Sequence, residues 1–120
     1  MNPRQVLEQR TVAAVLSGTT WRRVEDAGAN RWLNEMHVFA IEQEGQRRLP
    51  AYVFDPHGEP YAALAEVIGI LAGYRPFQLA SWFESISATI GGRRPREILA
   101  SNPEVVIAAA QSHAAGPQQG

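Results

Sequence analysis

Any general acid–base or metal chemistry in this chain would have to be built from three histidines, His37, His57 and His113. They are far apart in sequence, and no spacing joins one to a carboxylate or to a second ligand. Cysteine is absent, which removes thiolate nucleophiles, disulfides and zinc-ribbon sites together. The Ser and Thr residues fall at helix caps and on helix faces, without a base and an orienting group beside them. There is no phosphate loop, no Gly-x-Gly-x-x-Gly and no paired-carboxylate motif. The sequence thus predicts no catalytic residue, no metal and no cofactor, and a protein that is not an enzyme.

Arginine carries what chemistry remains. All 11 basic residues are Arg, and Lys is absent. A guanidinium keeps its charge and pairs bidentately with carboxylate or phosphate. The formal net charge is −1, which excludes nucleic-acid binding by bulk charge. Any DNA contact must come from a local set. Arg22, Arg23, Arg31, Arg47 and Arg48 form one such candidate set for phosphate contacts. Glu25, Asp26, Glu35, Glu42 and Glu44 are interleaved with it and dilute its field. Arg93, Arg94 and Arg96 form a second set beside Glu97.

These residues need elements to hold them. At 120 residues and 45% hydrophobic content, the chain is one small folded domain or two very small ones packed together. Such a chain buries roughly two-thirds of its unfolded surface. No signal-peptide pattern follows Met1. The longest apolar stretch, Tyr61 to Gly73, is broken by Glu66 and is too short to span a bilayer. The expectation is a cytoplasmic protein with no membrane contact. Asp55-Pro-His-Gly-Glu-Pro60 is the clearest punctuation, since neither a helix nor a central strand continues through it. It separates an N-terminal module, residues 1–55, from a C-terminal one, residues 60–115. The tail 116–120 has nothing to bury and is expected to be mobile.

In the first module, Val6, Leu7, Val12 or Ala13, and Leu16 recur at helical spacing after Pro3. Gly18 ends that helix. Trp21 to Ala27 reads as a second helix, capped by Thr19 or Thr20 and stopped at Gly28. Asn30 caps a third, Arg31 to Met36. Alternation from Val38 to Gln43 then predicts a strand. Arg47 to Phe54 returns as its hairpin partner, with Pro50 arguing for an edge position. Short helices followed by a hairpin match the element order of a winged helix-turn-helix, and a helical cap with a hairpin attached fits equally well. A winged helix would place Arg22, Arg23 and Arg31 on its helices and Arg47 and Arg48 on its wing. The same part of the chain can serve DNA binding or dimerisation.

The second module reads as four helices. Tyr61, Leu64, Ala65, Ile68 and Leu71 share one face of the first, which starts at Pro60 and ends at Gly73. Pro76 starts the next, with Phe77, Ala80 and Phe83 on one stripe and Leu79, Trp82 and Ile86 on another. Apolar nearly all round, it should be the most buried element. Gly91-Gly92 makes a loop. Pro95 starts a short helix with Ile98 and Leu99. Asn102-Pro103-Glu104 starts the last, running to about His113, with Val106, Ala109 and Ala110 for packing. The fold class is mainly α, with a β-hairpin near the N-terminus. The aromatic and aliphatic inventory of this module exceeds what one compact core of its size needs, so part of it is available for a partner or a second copy.

One stretch carries a resemblance. From Leu79 to Ala110 the chain holds a Trp-bearing helix (Trp82), the loop Gly92-Arg93-Arg94-Pro95, a short helix with Leu99, and a helix with Val106, Ala109 and Ala110. This order and spacing resembles the toxin-binding domain of the Xre/MbcA/ParS antitoxins. Upstream, Asn30-Arg-Trp32, Val38-Phe-Ala-Ile41 and Leu49-Pro-Ala-Tyr52 are similar to a shorter N-terminal module of one subgroup. The resemblance covers about residues 30–112 and implies a C-terminal four-helix antitoxin-type module. It implies an antitoxin that binds a RES-domain toxin, an enzyme that consumes NAD, and covers its active site. It also implies autoregulation through operator DNA, and a homodimer. On this reading Trp82, Gly92, Pro95, Leu99 and Val106 are the motif's core. Arg93, Arg94, Arg96, Glu97 and His113 are the toxin-binding candidates, because they surround the ends of the short helix and the start of the tail. The chain departs from the family in lacking an easily aligned, full-length Xre helix-turn-helix. The alternatives are a stand-alone DNA-binding regulator without a toxin, or an adaptor that only dimerises.

Overall fold

The computed structural model describes residues 21–23, 30–43 and 45–116. The helix expected over residues 3–18, and all but the first residue of the tail, lie outside the described residues. The chain is mostly helical, with a small antiparallel sheet. In order, the elements are strand β1 (Trp21–Arg23), helix α1 (Asn30–Asn34), strands β2 (Ile41–Gln43) and β3 (Gln46–Pro50), and a 3-10 turn at Ala51–Val53. Helices α2 (Ala62–Ile70) and α3 (Pro76–Glu84) follow, then a 3-10 turn at Ala88–Ile90, α4 (Pro95–Ile98) and α5 (Pro103–Ala115).

Two expectations for the first half are corrected. Trp21–Arg23 is not the start of a helix but a strand, paired antiparallel with β3. A three-residue stretch opening on an aromatic carries too little periodicity to prefer a helix, and the free edge of β3 supplies backbone partners. The sheet therefore has the order β1-β3-β2, with β3 in the middle. Pro50 does not mark an edge strand. It is the last residue of the central strand, opposite Trp21, and the chain turns immediately after it. The strands are also shorter than their hydrophobic pattern. Val38 and Phe39 are buried ahead of β2, and Val53 and Phe54 are buried after β3.

Helix α1 ends in a Schellman motif: His37 N donates to Trp32 O (2.8 Å) and Met36 N to Leu33 O (3.2 Å). The left-handed position belongs to Met36, at φ 61°, where glycine is usual. Its side chain is 60% exposed, so it recovers little by packing. Met36→Gly is expected to stabilise the fold by about 0.5–1 kcal/mol, read from urea unfolding. A destabilised variant would mean that the Met36 side chain contributes more packing than its exposure suggests.

The Asp55–Pro60 segment is a closed corner rather than a loose linker. The Asp55 carboxylate accepts from His57 N (2.8 Å) and Glu59 N (3.0 Å). Asp55 N donates to Glu59 O at 2.7 Å, and Phe54 bridges to Pro60. One buried cluster includes residues from both sides of this corner, among them Leu49, Val53, Leu64, Phe83 and Val106. Helix α2 lies along α5, and α3 packs on α4.

The helical stripes hold with two adjustments. Helix α2 buries Ala63 and Val67 together with Leu64 and Ile68, a wider face than the expected one. It starts after Pro60, which is held in the bridge to Phe54. Helix α3 stops at Glu84, so Ile86 does not join the Leu79–Trp82 stripe and is 63% exposed. Helix α5 buries Val106, Ala109 and Ala110 as its spacing requires. Asn102 precedes it without capping it by a side-chain bond. The helix relies on Pro103 at its first turn and Glu104 at its positive end.

Candidate partner-binding face

The Trp82–Ala110 stretch builds one face of the molecule from the end of α3, the glycine loop, α4 and the end of α5. Trp82 and Phe83 sit side by side on α3, edge to face at 5.0 Å and 82°. An exposed residue would be expected next, but Glu84 follows with its side chain only 12% exposed. Arg96 closes on it bidentately, Nε to Oε2 at 2.6 Å and a terminal nitrogen to Oε1 at 3.2 Å. The Arg94 Nε stands 3.2 Å from Glu84 Oε1. That contact is ionic without hydrogen-bond alignment, because the same Nε is buried without a hydrogen-bond partner. Glu84 thus binds α3 to α4 through two guanidinium groups.

This ion cluster sits against Tyr52, whose ring packs on Phe83 at 5.5 Å. Burial pushes the Tyr52 hydroxyl well above its ordinary pKa, and the Glu84 charge pushes it further while Arg96 opposes. Tyr52 stays neutral. The hydrogen bond to Glu84 raises the Arg96 pKa above its ordinary value, so its charge is permanent.

The loop between the two helices is closed by its backbone. Ser87 N donates to Arg93 O (3.0 Å) and Gly92 N to Ser87 O (2.8 Å). Gly91 and Gly92 both have positive φ, 73° and 76°, which explains the glycine pair of the motif. Pro95 is buried at the first turn of α4. Glu97 reaches back so that Arg94 N donates to its Oε1 at 2.8 Å, covering an orphan donor of the helix start. That bond from the backbone, together with the neighbouring arginines, lowers the Glu97 pKa. A lowered folded-state pKa gives stability that is present above the unfolded value and lost as pH falls through the folded one. The stability difference between wild type and Glu97→Gln, measured by thermal unfolding across acid pH, is therefore expected to be present at neutral pH and to vanish in acid. A difference unchanged by acid would contradict this role.

His113 lies in the last turn of α5. Its Nε2 is 2.7 Å from the Tyr74 hydroxyl, and the two rings meet edge to face at 5.9 Å. The Trp82 ring lies 6.3 Å away. Beside it runs an open groove of about 530 Å³, lined by Trp82, Ser85, Ile86, Thr89, Ser112 and His113 among others. Ser85 donates to Trp82 O at 2.6 Å, so its hydroxyl is already engaged. The exposed Ile86 forms one wall.

The five toxin-binding candidates therefore have different surroundings. Arg93 is exposed at the loop tip. Arg94 and Arg96 are held by Glu84, Glu97 caps α4, and His113 borders the groove through its bond to Tyr74. The motif residues Trp82, Leu99 and Val106 are buried at 7%, 1% and 0% exposure, as a core role requires. The sequence reading missed Glu84, Tyr74 and the exposure of Ile86. A lone acid on an otherwise apolar helix, twelve residues before Arg96, was the available signal for Glu84.

The five DNA-binding candidates do not form a helix-and-wing face. Arg22 and Arg23 lie on β1, opposite Leu49 and Arg48 of β3. Arg47 is exposed on β3 and Arg48 is half-buried there. Arg31 is on α1 and pairs with Glu35 at 3.3 Å. Four of the five are thus gathered on adjacent strands, and Arg31 stands apart. Among the described residues no group of three His, Cys, Asp or Glu side chains converges on a common point, and no helix is long and apolar enough to cross a membrane. Compared with family models, with curated proteins and with solved structures, the chain has no match.

Proposed function

We propose that this chain is an antitoxin of the Xre/MbcA/ParS type, which binds a RES-domain, NAD-consuming toxin and covers its active site. The observation that supports this most is the face just described. The residues of the motif resemblance fall into two groups by burial. Trp82, Pro95, Leu99 and Val106 are inside, whereas Gly92, expected in the motif's core, is exposed in the loop, where its positive φ rather than burial accounts for it. Arg93, Ile86 and the groove beside His113 are outside and contiguous with the same loop and helix ends. A protein that acts by blocking a cleft needs a rigid, shaped surface with a few anchors, and no catalytic group. The Glu84 clamp and the closed glycine loop supply rigidity, Ile86 an apolar anchor, and Arg93 a charged one.

The test is co-expression with a RES-domain toxin sought in the adjacent reading frame. Wild type is expected to rescue growth and to co-purify with the toxin. Ile86→Glu combined with Arg93→Glu is expected to lose both while keeping its unfolding midpoint, since both side chains are exposed. Full neutralisation by that variant would remove this face from the interface.

A second reading, regulation through operator DNA, has its own observation. It rests on Arg48, which stands opposite Arg23 of β1 in register. Among the described residues, the buried Arg48 Nε has no hydrogen-bond partner, and a terminal nitrogen donates to Gln46 (3.1 Å). A phosphate would supply the missing acceptor. On this reading the sheet, rather than a recognition helix, makes the backbone contact. Homodimerisation belongs to the same proposal and is read from sedimentation.

A further inference from the structure

A second groove, separate from the partner-binding face, lies between α1, the sheet and the α2–α3 turn. It has a volume of about 310 Å³, at the lower end of the range for small-molecule sites. Its walls include Leu33, Phe39, Ile68, Leu71, Tyr74 and Leu79. Among its described lining residues Arg47 carries the only charge. Arg47 is exposed on the central strand. Its cross-strand neighbour is Glu42. Among the described residues, the groove thus joins an apolar body to a single lining cation.

Met36 adds an independent observation. It lines the same groove and holds the left-handed position that closes α1, with its side chain 60% exposed. Glycine would fit that backbone with less strain, so Met36 places a flexible thioether at the groove at some backbone cost. Methionine is an adaptable wall for apolar ligands of irregular shape. Tyr74 forms the opposite end, and its hydroxyl is turned to His113, which leaves its ring to the groove.

We propose that this groove binds a small aliphatic carboxylate, with the hydrocarbon chain against Phe39, Leu71 and Leu79, the carboxylate on Arg47, and Met36 folded over the chain. The site does not depend on the antitoxin reading, because it shares with the partner-binding face only the Tyr74–His113 contact. Charge complementarity selects the occupant. Apolar walls alone would accept any chain of suitable length, and the lone guanidinium favours an anionic end over a neutral or cationic one.

The test is a titration of the full chain with octanoate, followed by amide chemical shifts, with octylamine as the charge-reversed probe. Saturable shifts are expected at residues 33–40, 68–74 and 79, with octylamine at least tenfold weaker. Arg47→Gln is expected to weaken octanoate several-fold and to erase the preference over octylamine. Met36→Gly is expected to weaken it as well, although that variant is the more stable protein. A dispersed amide spectrum confirms that each variant is folded. Absence of saturable shifts, shifts centred elsewhere, or equal binding of octanoate and octylamine would overturn the proposal.

Discussion

Replacing Phe83 by alanine is expected to cost about 3–5 kcal/mol of stability and to lower the unfolding temperature by roughly 10–20 °C. Phe83 is fully buried. Its ring stacks on Phe39 at 5.9 Å and 19°, tilts against Tyr52 at 5.5 Å, and meets Trp82 edge to face. Phe39 and Tyr52 come from the sheet half of the chain, Phe83 and Trp82 from α3. Removing this one ring therefore opens a cavity between the two halves rather than inside either. The four rings of this cluster come from three separate segments, so local collapse does not refill the space cheaply. A domain of this size has only about 5–15 kcal/mol in total, so much of its stability is at stake. Urea unfolding measures the loss, and a midpoint close to wild type would contradict the placement of Phe83 at the junction.

Glu84→Ala is the second large effect, about 2–3 kcal/mol. The carboxylate is 12% exposed and holds Arg96 bidentately, with Arg94 beside it. Removing it leaves two guanidinium groups facing each other without a counter-charge. The cost stays below that of a fully buried pair because the Arg94 side chain is 36% exposed and can turn to water. Glu84→Gln keeps one acceptor and should lose less. Replacing Glu84 and Arg96 together by Leu and Met should recover most of the loss, since the pair owes its cost to desolvation. A double variant no better than the single one would show that Arg96 also contributes through packing of its stem.

How far the fold could be read from the sequence differed by element. Helix α5 was legible because Pro103, Glu104 and the Val106–Ala109–Ala110 spacing agree with one another. The motif loop was legible because only glycine takes the φ of Gly91 and Gly92 at no cost. Strand β1 was not legible. Trp21–Arg23 is three residues long, and its state is decided by the edge of β3, which lies far along the chain at Arg48 to Pro50. Pro50 misled for a related reason: it signalled a missing donor, and the end of a central strand tolerates that as well as an edge does. At the site, Arg93 and His113 could be anticipated as surface residues. The engagement of Arg94 and Arg96 could not, because it depends on where the turn after Glu84 sends the chain. Ile86 read as core until the helix proved to stop at Glu84.

Under the proposed antitoxin function, the exposed side of the Trp82–Ala110 motif blocks a toxin's active site. The most direct measurement is NAD consumption by the RES-domain toxin that this proposal requires, titrated with this chain. The account predicts that turnover falls linearly and stops at a fixed stoichiometric ratio, and that Ile86→Glu with Arg93→Glu shifts or abolishes that endpoint. Turnover unchanged at excess of the folded chain would contradict it.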